Sequence, residues 1–493
     1  MPKEENHYTL LGLSRNATPD EIRSAYFEAA RRLHPDTNPD PAALEIFLQV
    51  QEAFSVLSNP DARQTYDATL PEDTTILPAV SFSYQLSRNF IPRVDEPQLV
   101  YALIDLTSIP DPAAAMTPPL NICLVIDRST SMQGERMDMV KASTLQLIKQ
   151  MRPQDIVSVV AYSDRAEILI PASRISELGK MQSRINMIQP SGATEIFYGL
   201  EAGIGQLKRN HNPSYINHLL LLTDGRTYGD EQACLNLAEQ AAQEGIGISG
   251  IGIGSEWNDK FLDQIAGHSG GSSVFIKAPA DLAQFMDEKC KTLTKLYAES
   301  VVFEFDKDPQ VILRYVFRLL PESGPLQTES PIRVGGIGQA RSLRVLFEFM
   351  IDPLPPGCAE ISLATGSVRM EIPTWAVPST RLKLNLRLPV RVHGEPETPP
   401  QAILQAMSKL TLYRMQERAR KEVEEGDSEL ATRHLHYLAT SLITQGHQEL
   451  AQTVMAEAES VRQTQKFSAA GDKRIKYGTR ALLLPHGLDR NSL

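Results

Sequence analysis

Hydrophobic and polar positions follow several different patterns along the chain, and each pattern predicts a different kind of structure. Between residues 19 and 58, apolar side chains recur at helical spacing. In 75–109 and 298–393, apolar and polar residues alternate, as in half-buried strands. Short apolar strands alternate with helical segments over 118–297, and helical patterns without proline fill 401–465. We therefore expect several domains of different class.

The two alternating stretches predict a single antiparallel β-sandwich interrupted by another domain. Such an insertion is tolerated where the termini of the inserted domain lie close together. In the first stretch, Val80, Phe82 and Tyr84 alternate with polar residues, and 98–107 reads as a second strand. Candidate strands of the second stretch are 299–306, 310–319, 343–349, 359–364, 367–372 and 381–392. Pro389 in the last of these indicates an edge strand.

The segment 118–297 predicts a doubly wound α/β domain with a mostly parallel sheet and helices on both faces. Its predicted strands are 120–126, 155–162, 166–170, 217–223, 246–252 and 273–276. Ligands of such folds bind outside the carboxyl ends of the strands. The glycine-rich run 245–255 lacks the lysine of a phosphate-binding loop, so we interpret it as a buried strand.

Bulk properties exclude several classes of protein. The chain has 493 residues, 42% hydrophobic and 22% charged, which is typical of soluble globular domains. A net charge of −11 argues against a general affinity for nucleic acid. The four cysteines form no CxxC pair and predict neither a disulfide framework nor a zinc site. We see neither a signal peptide nor a membrane span and expect a cytoplasmic protein.

Oxygen-bearing side chains follow the predicted strands of the α/β domain at three places. Asp127, Ser129 and Ser131 come directly after an apolar strand, Thr194 precedes a helix, and Asp224 ends another apolar strand. Each piece alone is compatible with a helix cap or a turn. Together, carboxylate and hydroxyl oxygens at one sheet edge suit a hard cation such as Mg²⁺. We expect the neighbouring Arg128 to point to solvent rather than toward the metal.

In order, spacing and strand-end placement, these pieces resemble the von Willebrand factor A domain and its metal-ion-dependent adhesion site. The resemblance implies that Ser129 and Ser131 bind Mg²⁺ or Mn²⁺ directly and Thr194 directly or through water. By the same resemblance, Asp127 and Asp224 act mostly through water or hydrogen bonds. Because few carboxylates then neutralise the metal, an open position invites an Asp or Glu from a partner protein.

The first part of the chain resembles a J-domain. The segments YTLLGLSRNATPDEIRSAY, RRLHPD, QEAFSVLSNP and DARQTYD match that family in order and spacing over residues 6–69. The resemblance implies a DnaK-type chaperone as partner. The residues implied to contact it are His34, Pro35, Asp36, Arg23, Arg31 and Arg32. The chain departs from many family members at Phe27 and Glu28, which replace a basic pair and dilute the positive face.

The carboxyl-terminal part predicts a helical bundle followed by a basic tail. Breaks near Gly426 and Gly446 divide 401–465 into three helices. For the tail, 466–493, the sequence leaves three options open, which are docking onto the domains, binding a partner and disorder.

Three functions are compatible with these motifs. The leading hypothesis is a co-chaperone that is not an enzyme, in which the metal site captures a protein and the J-domain recruits a DnaK-type ATPase. The alternative is a metal-dependent scaffold or complex-assembly protein whose J-domain serves only for localisation. We disfavour a metallohydrolase, because no His or Glu in the metal motifs is an evident general base.

Overall fold

The structure is a computed structural model that describes residues 7–13, 17–33, 41–69, 80–109, 117–225, 227, 229–276, 279–374, 379–392, 394 and 397–482. Within these ranges, no helix combines the length and the apolar composition needed to cross a bilayer.

The amino-terminal domain consists of four helices, α1 (His7–Leu10), α2 (Pro19–Leu33), α3 (Pro41–Leu57) and α4 (Pro60–Thr69). Helix α2 begins with a reciprocal cap, in which the Thr18 N–H donates to Glu21 Oε2 and the Glu21 N–H donates to Thr18 Oγ1. The ring of Tyr26 stacks on Phe54 at 4.0 Å between centroids, which fixes α2 against α3. The predicted His34, Pro35 and Asp36 lie outside the described residues.

Strands β1 (Val80–Leu86), β2 (Ile91–Pro92) and β3 (Gln98–Ser108) precede the inserted α/β domain. Its strands are β4 (Leu120–Asp127), β5 (Ile156–Tyr162), β6 (Ala166–Arg174), β7 (Ile216–Thr223), β8 (Gly247–Ile253) and β9 (Ser273–Ile276). Its helices are α5 (Glu135–Gln150), α6 (Leu178–Asn186), α7 (Ile196–Lys208), α8 (Glu231–Gln243), α9 (Asp259–Ser269) and α10 (Pro279–Thr294).

The inserted sheet has the order β6-β5-β4-β7-β8-β9, and all neighbours are parallel except β5 and β6. Every residue of β4, β5 and β7 is buried, because helices cover both faces. Two separate apolar cores result, one with α5, α6 and α10 and the other with α7, α8 and α9. This is the doubly wound arrangement that the sequence predicts.

Directly after α10 the chain returns to strands, which complete the sandwich. They are β10 (Leu296–Asp306), β11 (Val311–Leu320), β12 (Gly324–Leu326), β13 (Ile332–Gly338), β14 (Ser342–Ile351), β15 (Glu360–Glu371) and β16 (Ser379–Arg391). One sheet has the order β1-β3-β14-β11-β12 and the other the order β13-β10-β15-β16-β2. A single apolar core lies between them.

Helices α11 (Gln401–Glu424), α12 (Ser428–Thr444) and α13 (Gln448–Thr464) form the predicted bundle, and α14 (Ala469–Ala481) is a fourth helix in the tail. Residues of α11, among them Ile403 and Leu410, pack on Phe317 and Leu346 of the sandwich. Helix α14 packs on the inserted domain, where its Tyr477 lies against Trp257. Of the three options for the tail, the structure therefore shows docking for the part that forms α14.

The amino-terminal domain also contacts the rest of the chain. Arg381 of β16 donates to Glu28 Oε1 at 3.0 Å, and the hydroxyl of Thr380 donates to the Gly12 carbonyl at 3.1 Å. Pro213, from the loop before β7, lines the same crevice. Helix α2 is thus held against β16 and the amino end of β7.

Candidate functional site

The carboxyl ends of β4 and β7 bring the two predicted aspartates together. These strands are parallel neighbours in which Ile126 pairs with Leu222, so Asp127 and Asp224 emerge side by side at the same edge. Both carboxylates are fully buried. A short 3₁₀ turn, Thr130–Met132, follows β4 and turns its hydroxyls back over the same edge.

The hydroxyls of Ser129 and Ser131 connect the two aspartates. Ser131 Oγ donates to Asp224 Oδ1 at 2.7 Å, and the oxygen atoms of the two hydroxyls lie 3.0 Å apart. Since the proton of Ser131 is used on Asp224, Ser129 is the donor between the two hydroxyls. Ser129 is 2% exposed, whereas Ser131 is exposed to solvent. Ser131 Oγ therefore keeps one lone pair that is not used by Ser129, and its residue is open to solvent, where a cation or water can reach it.

Asp127 is held by neutral donors on both oxygens. The Ser129 N–H donates to Oδ1 and the Thr223 hydroxyl to Oδ2, each at 2.8 Å. Burial raises the pKa of Asp127 to about 6, although the hydrogen bonds from Ser129 and Thr223 oppose this rise. A buried carboxylate with no cationic partner of its own favours a nearby positive charge. Sequence reasoning did not identify Thr223 as the residue that orients Asp127.

Thr194 lies at the same edge, next to the Asp224 loop. A Cβ added to Gly225 would be 2.8 Å from Thr194 Oγ1, so glycine leaves the space that this hydroxyl needs. The Thr130 N–H and hydroxyl both donate to the carbonyl of Gly192, which ties the loop of Thr194 to the first motif. All five predicted positions, Asp127, Ser129, Ser131, Thr194 and Asp224, thus converge at one edge.

Two arginines border the site, and sequence reasoning missed one of them and misplaced the other. Arg136, near the start of α5, places NH1 2.5 Å from Asp224 Oδ2 and 3.3 Å from the Ser131 carbonyl. Its position one turn after the hydroxyl motif was the available sequence signal. Arg128 does not point to solvent as we expected, because its side chain is 15% exposed and donates to Ser191 Oγ.

The chemistry of these groups fits a hard divalent cation. The five side chains brought together here all present oxygen, the ligand atom that Mg²⁺ and Mn²⁺ favour. The hydroxyl of Tyr162 is buried near Asp127 and Asp224 and makes no hydrogen bond of standard geometry with the described residues. Within the described ranges, no three His, Cys, Asp or Glu side chains converge, so a site here depends on its hydroxyls.

A second candidate surface lies on α2. Arg23, Phe27 and Arg31 are exposed and four residues apart, so they form one stripe along the helix. Glu28 lies to the side of this stripe and faces Arg381, so the docking described above leaves the stripe open. The side chain of Arg32 lies outside the described residues.

Three family models match the chain. The DnaJ domain model matches residues 6–67, the von Willebrand factor type A domain model matches residues 121–288, and a model described as the Sll0103-like, C-terminal alpha-helical domain matches residues 401–485. The last match includes α14, which the sequence had assigned to a tail.

Relatives and solved structures agree with this division. The chain is 26% identical over 379 residues to the uncharacterized protein sll0103 of Synechocystis, covering 74% of this chain and 89% of that protein. It is 49% identical over 67 residues to the chaperone protein DnaJ of Dictyoglomus thermophilum, covering 14% of this chain and 17% of that protein. A von Willebrand factor type A structure from Catenulispora acidiphila superimposes with a TM-score of 0.65 at 17% identity, covering 83% and 98% of the two chains.

Proposed function

Since the chain contains a J-domain and a von Willebrand factor A domain, we propose that it is a co-chaperone that brings a DnaK-type ATPase to a protein held at a metal site. Both domains are, as a rule, interaction domains rather than catalytic ones. The metal site recognises an exposed Asp or Glu of the held protein, and the J-domain stimulates the ATPase.

The convergence of hydroxyls and carboxylates from three separate loops is the observation that supports this proposal most. Ser129, Ser131 and Thr194 would hold Mg²⁺ or Mn²⁺, with Asp127 and Asp224 orienting them. When bound, the ion supplies a coordination position for an oxygen of an acidic side chain. The exposed stripe of α2 supports the other half of the proposal, because its two arginines offer positive charge to an acidic chaperone surface.

Single-turnover ATP hydrolysis by the cognate DnaK-type chaperone tests the co-chaperone role. We expect the wild-type chain to accelerate hydrolysis and His34→Gln to abolish the acceleration, because the resemblance places His34 at the chaperone contact. If the wild-type chain has no effect, or if His34→Gln is equally active, the co-chaperone role is wrong and the scaffold alternative gains.

Calorimetric titration with Mg²⁺ or Mn²⁺ tests the metal site separately. We expect saturable binding that Asp224→Ala abolishes, because Ser131 then loses the acceptor that orients it. Asp138→Ala, which removes an exposed aspartate from α5, serves as the matched control and should bind like wild type. Absence of binding to the wild-type chain would contradict the metal site, even if the ATPase result is positive.

A further inference from the structure

Arg136 is the one cationic side chain among the described residues that bonds directly to a carboxylate of the metal site. Its guanidinium is 38% exposed, whereas the Asp224 side chain is fully buried. NH1 donates to Asp224 Oδ2, the oxygen that Ser131 does not use. Arg136 therefore pairs with Asp224 without blocking the hydroxyl side of the site.

The guanidinium of Arg136 lies against the loop that follows β8. A Cβ added to Gly254, which follows β8 at a φ of +70°, would lie 3.1 Å from Arg136 NH2, so the guanidinium lies directly against this glycine. The Gly254 carbonyl accepts from Trp257 Nε1 at 2.8 Å. Lys473 of α14 donates to the carbonyls of Ser255 and Trp257 at 2.5 and 2.6 Å. Helix α14 thus holds the loop after β8, against which the guanidinium of Arg136 lies.

The charge of Arg136 decides the sign of the loaded site. With Asp127 and Asp224 ionised, the site and Arg136 together have a charge of −1, so a divalent cation brings the sum to +1. Without Arg136 the two carboxylates would neutralise the ion completely. Arg128 is left out of this sum, because its guanidinium faces Ser191 and Glu167 rather than the two aspartates.

On this basis, and resting on the metal site of the proposed function, we propose that Arg136 determines specificity by keeping the loaded site cationic. It makes the site select a carboxylate-bearing ligand. It also makes the site hold its metal less tightly than the two carboxylates alone would. Arg136 thus lowers the affinity for the metal and raises the affinity for the ligand.

Opposite shifts of two affinities test this proposal. Mn²⁺ affinity is measured by calorimetry, and binding of N-acetylaspartate amide, a monocarboxylate probe, is measured on the Mn²⁺-loaded protein by water-proton relaxation. We expect Arg136→Gln to bind Mn²⁺ several-fold more tightly and the probe several-fold more weakly, the order of effect of one nearby unit charge at a protein surface. Arg136→Lys keeps the charge and should change both affinities less.

Lys149→Gln is the control, because it removes an exposed cation from the far end of the same helix, α5, and it should leave both affinities near wild type. A purely structural role of Arg136 would lower both affinities of Arg136→Gln together, and that result would overturn the proposal, as would unchanged affinities. Failure of the wild-type chain to bind Mn²⁺ would overturn the metal site itself. Thermal unfolding of each variant with and without Mn²⁺ verifies that it is folded.

Discussion

Two buried aspartates at the metal site differ in how their charge is balanced. Asp224 is paired with the guanidinium of Arg136, whereas, among the described residues, Asp127 receives only neutral hydrogen bonds, from Ser129 and Thr223. Burial of an ionised carboxylate costs free energy unless a cation lies nearby, which is why the pKa of Asp127 is raised. The two sides of the proposed site therefore differ before any metal binds. The charge of Asp224 is balanced by a cation, and the charge of Asp127 is not balanced by any cation among the described residues.

Tyr162 offers a prediction at the level of a single atom. Its hydroxyl is buried without a partner in standard hydrogen-bond geometry among the described residues. Burial, followed by the nearby Asp127, raises its pKa well above the ordinary value, and an interaction with Thr223 opposes that rise. An unsatisfied buried polar group costs about 1–3 kcal/mol. We therefore expect Tyr162→Phe to raise the free energy of unfolding by about 1 kcal/mol in denaturant titrations with EDTA.

Tyr198→Phe is the control for this measurement, because Tyr198 is 41% exposed and its hydroxyl stays in water in either state. It should leave the free energy of unfolding unchanged. A loss of stability in Tyr162→Phe would mean that the hydroxyl is bonded after all.

The residues of the proposed metal site could be located from sequence to the extent that their signal is local. Ser129 and Ser131 stand next to Asp127 in one motif, and Thr194 and Asp224 each precede or follow a recognisable element. Arg136 could not be assigned, because its partner lies 88 residues away and only the pairing of β4 with β7 brings the two together.

At the scale of elements, helix α14 is attached to the inserted domain by charge rather than by apolar packing alone. Its basic residues Lys476 and Arg480 bond Asp263 of α9, and Lys476 also bonds Asp259. Arg420 of α11 joins Asp259 to Asp472 of α14. The cluster contains three acids and three bases, so its buried charges cancel, as a buried ionic network requires.

We expect low pH to weaken the attachment of α14 to the inserted domain. Burial alone would raise the pKa of Asp263, but Arg480 and Lys476 outweigh it and lower the pKa to about 2, below the unfolded value of about 3.9. A lowered carboxyl pKa stabilises the folded state above pH 4, and this stability is lost as the pH falls from about 4 to 2. We expect a loss on the order of 2 kcal/mol for this group at the lowest pH, about half of it by pH 3.

Hydrogen exchange at pH 5 and pH 3, corrected for the intrinsic pH dependence of exchange, measures this effect. Amides of α14 should lose protection at pH 3, whereas amides of α12, whose contacts with α13 are apolar, should keep it. Equal loss in both helices would indicate general acid unfolding and would contradict a local role of the charge cluster.

Strands could be predicted where the hydrophobic pattern and the length of the segment both favour a strand, as for β4 and β7. Their exact ends could be predicted less well. The sequence predicts two strands, 359–364 and 367–372, whereas the structure has one strand, β15, that runs through Gly366. Glycine does not break this strand. It is needed because a Cβ at Gly366 would lie 2.1 Å from the carbonyl oxygen of Glu304 on β10. A close approach between two segments that are far apart in the sequence leaves no signal in the residues around either of them.

At the scale of the whole molecule, the two candidate interaction surfaces lie at opposite ends of the inserted sheet. The J-domain contacts Pro213 near the amino end of β7, while the metal site lies at the carboxyl end of the same strand. Eight residues of parallel strand span about 26 Å. In the proposed function, a protein held at the proposed metal site would therefore have to reach along the inserted domain to meet a chaperone bound to α2.

This geometry depends on the docking of the J-domain, and a charge swap tests that docking. The pair of Glu28 and Arg381 is partly exposed, so its own contribution is about 0–1 kcal/mol. Glu28→Lys does more than remove this pair, because it places two positive charges, the new lysine and Arg381, opposite each other. We expect this repulsion to detach α2 from β16. Hydrogen exchange at Leu11–Leu13 should increase, and the radius of gyration from small-angle scattering should rise.

The double variant, Glu28→Lys with Arg381→Glu, restores opposite charges with their order reversed and should return both measurements toward wild type. Arg381→Glu alone should behave like Glu28→Lys, since either change produces the same repulsion. If the double variant remains detached, the buried bond from Thr380 to the Gly12 carbonyl, rather than the ion pair, controls docking. If no variant detaches, Glu28 has no part in docking, and its departure from the basic residue of the J-domain family acts on the chaperone contact alone.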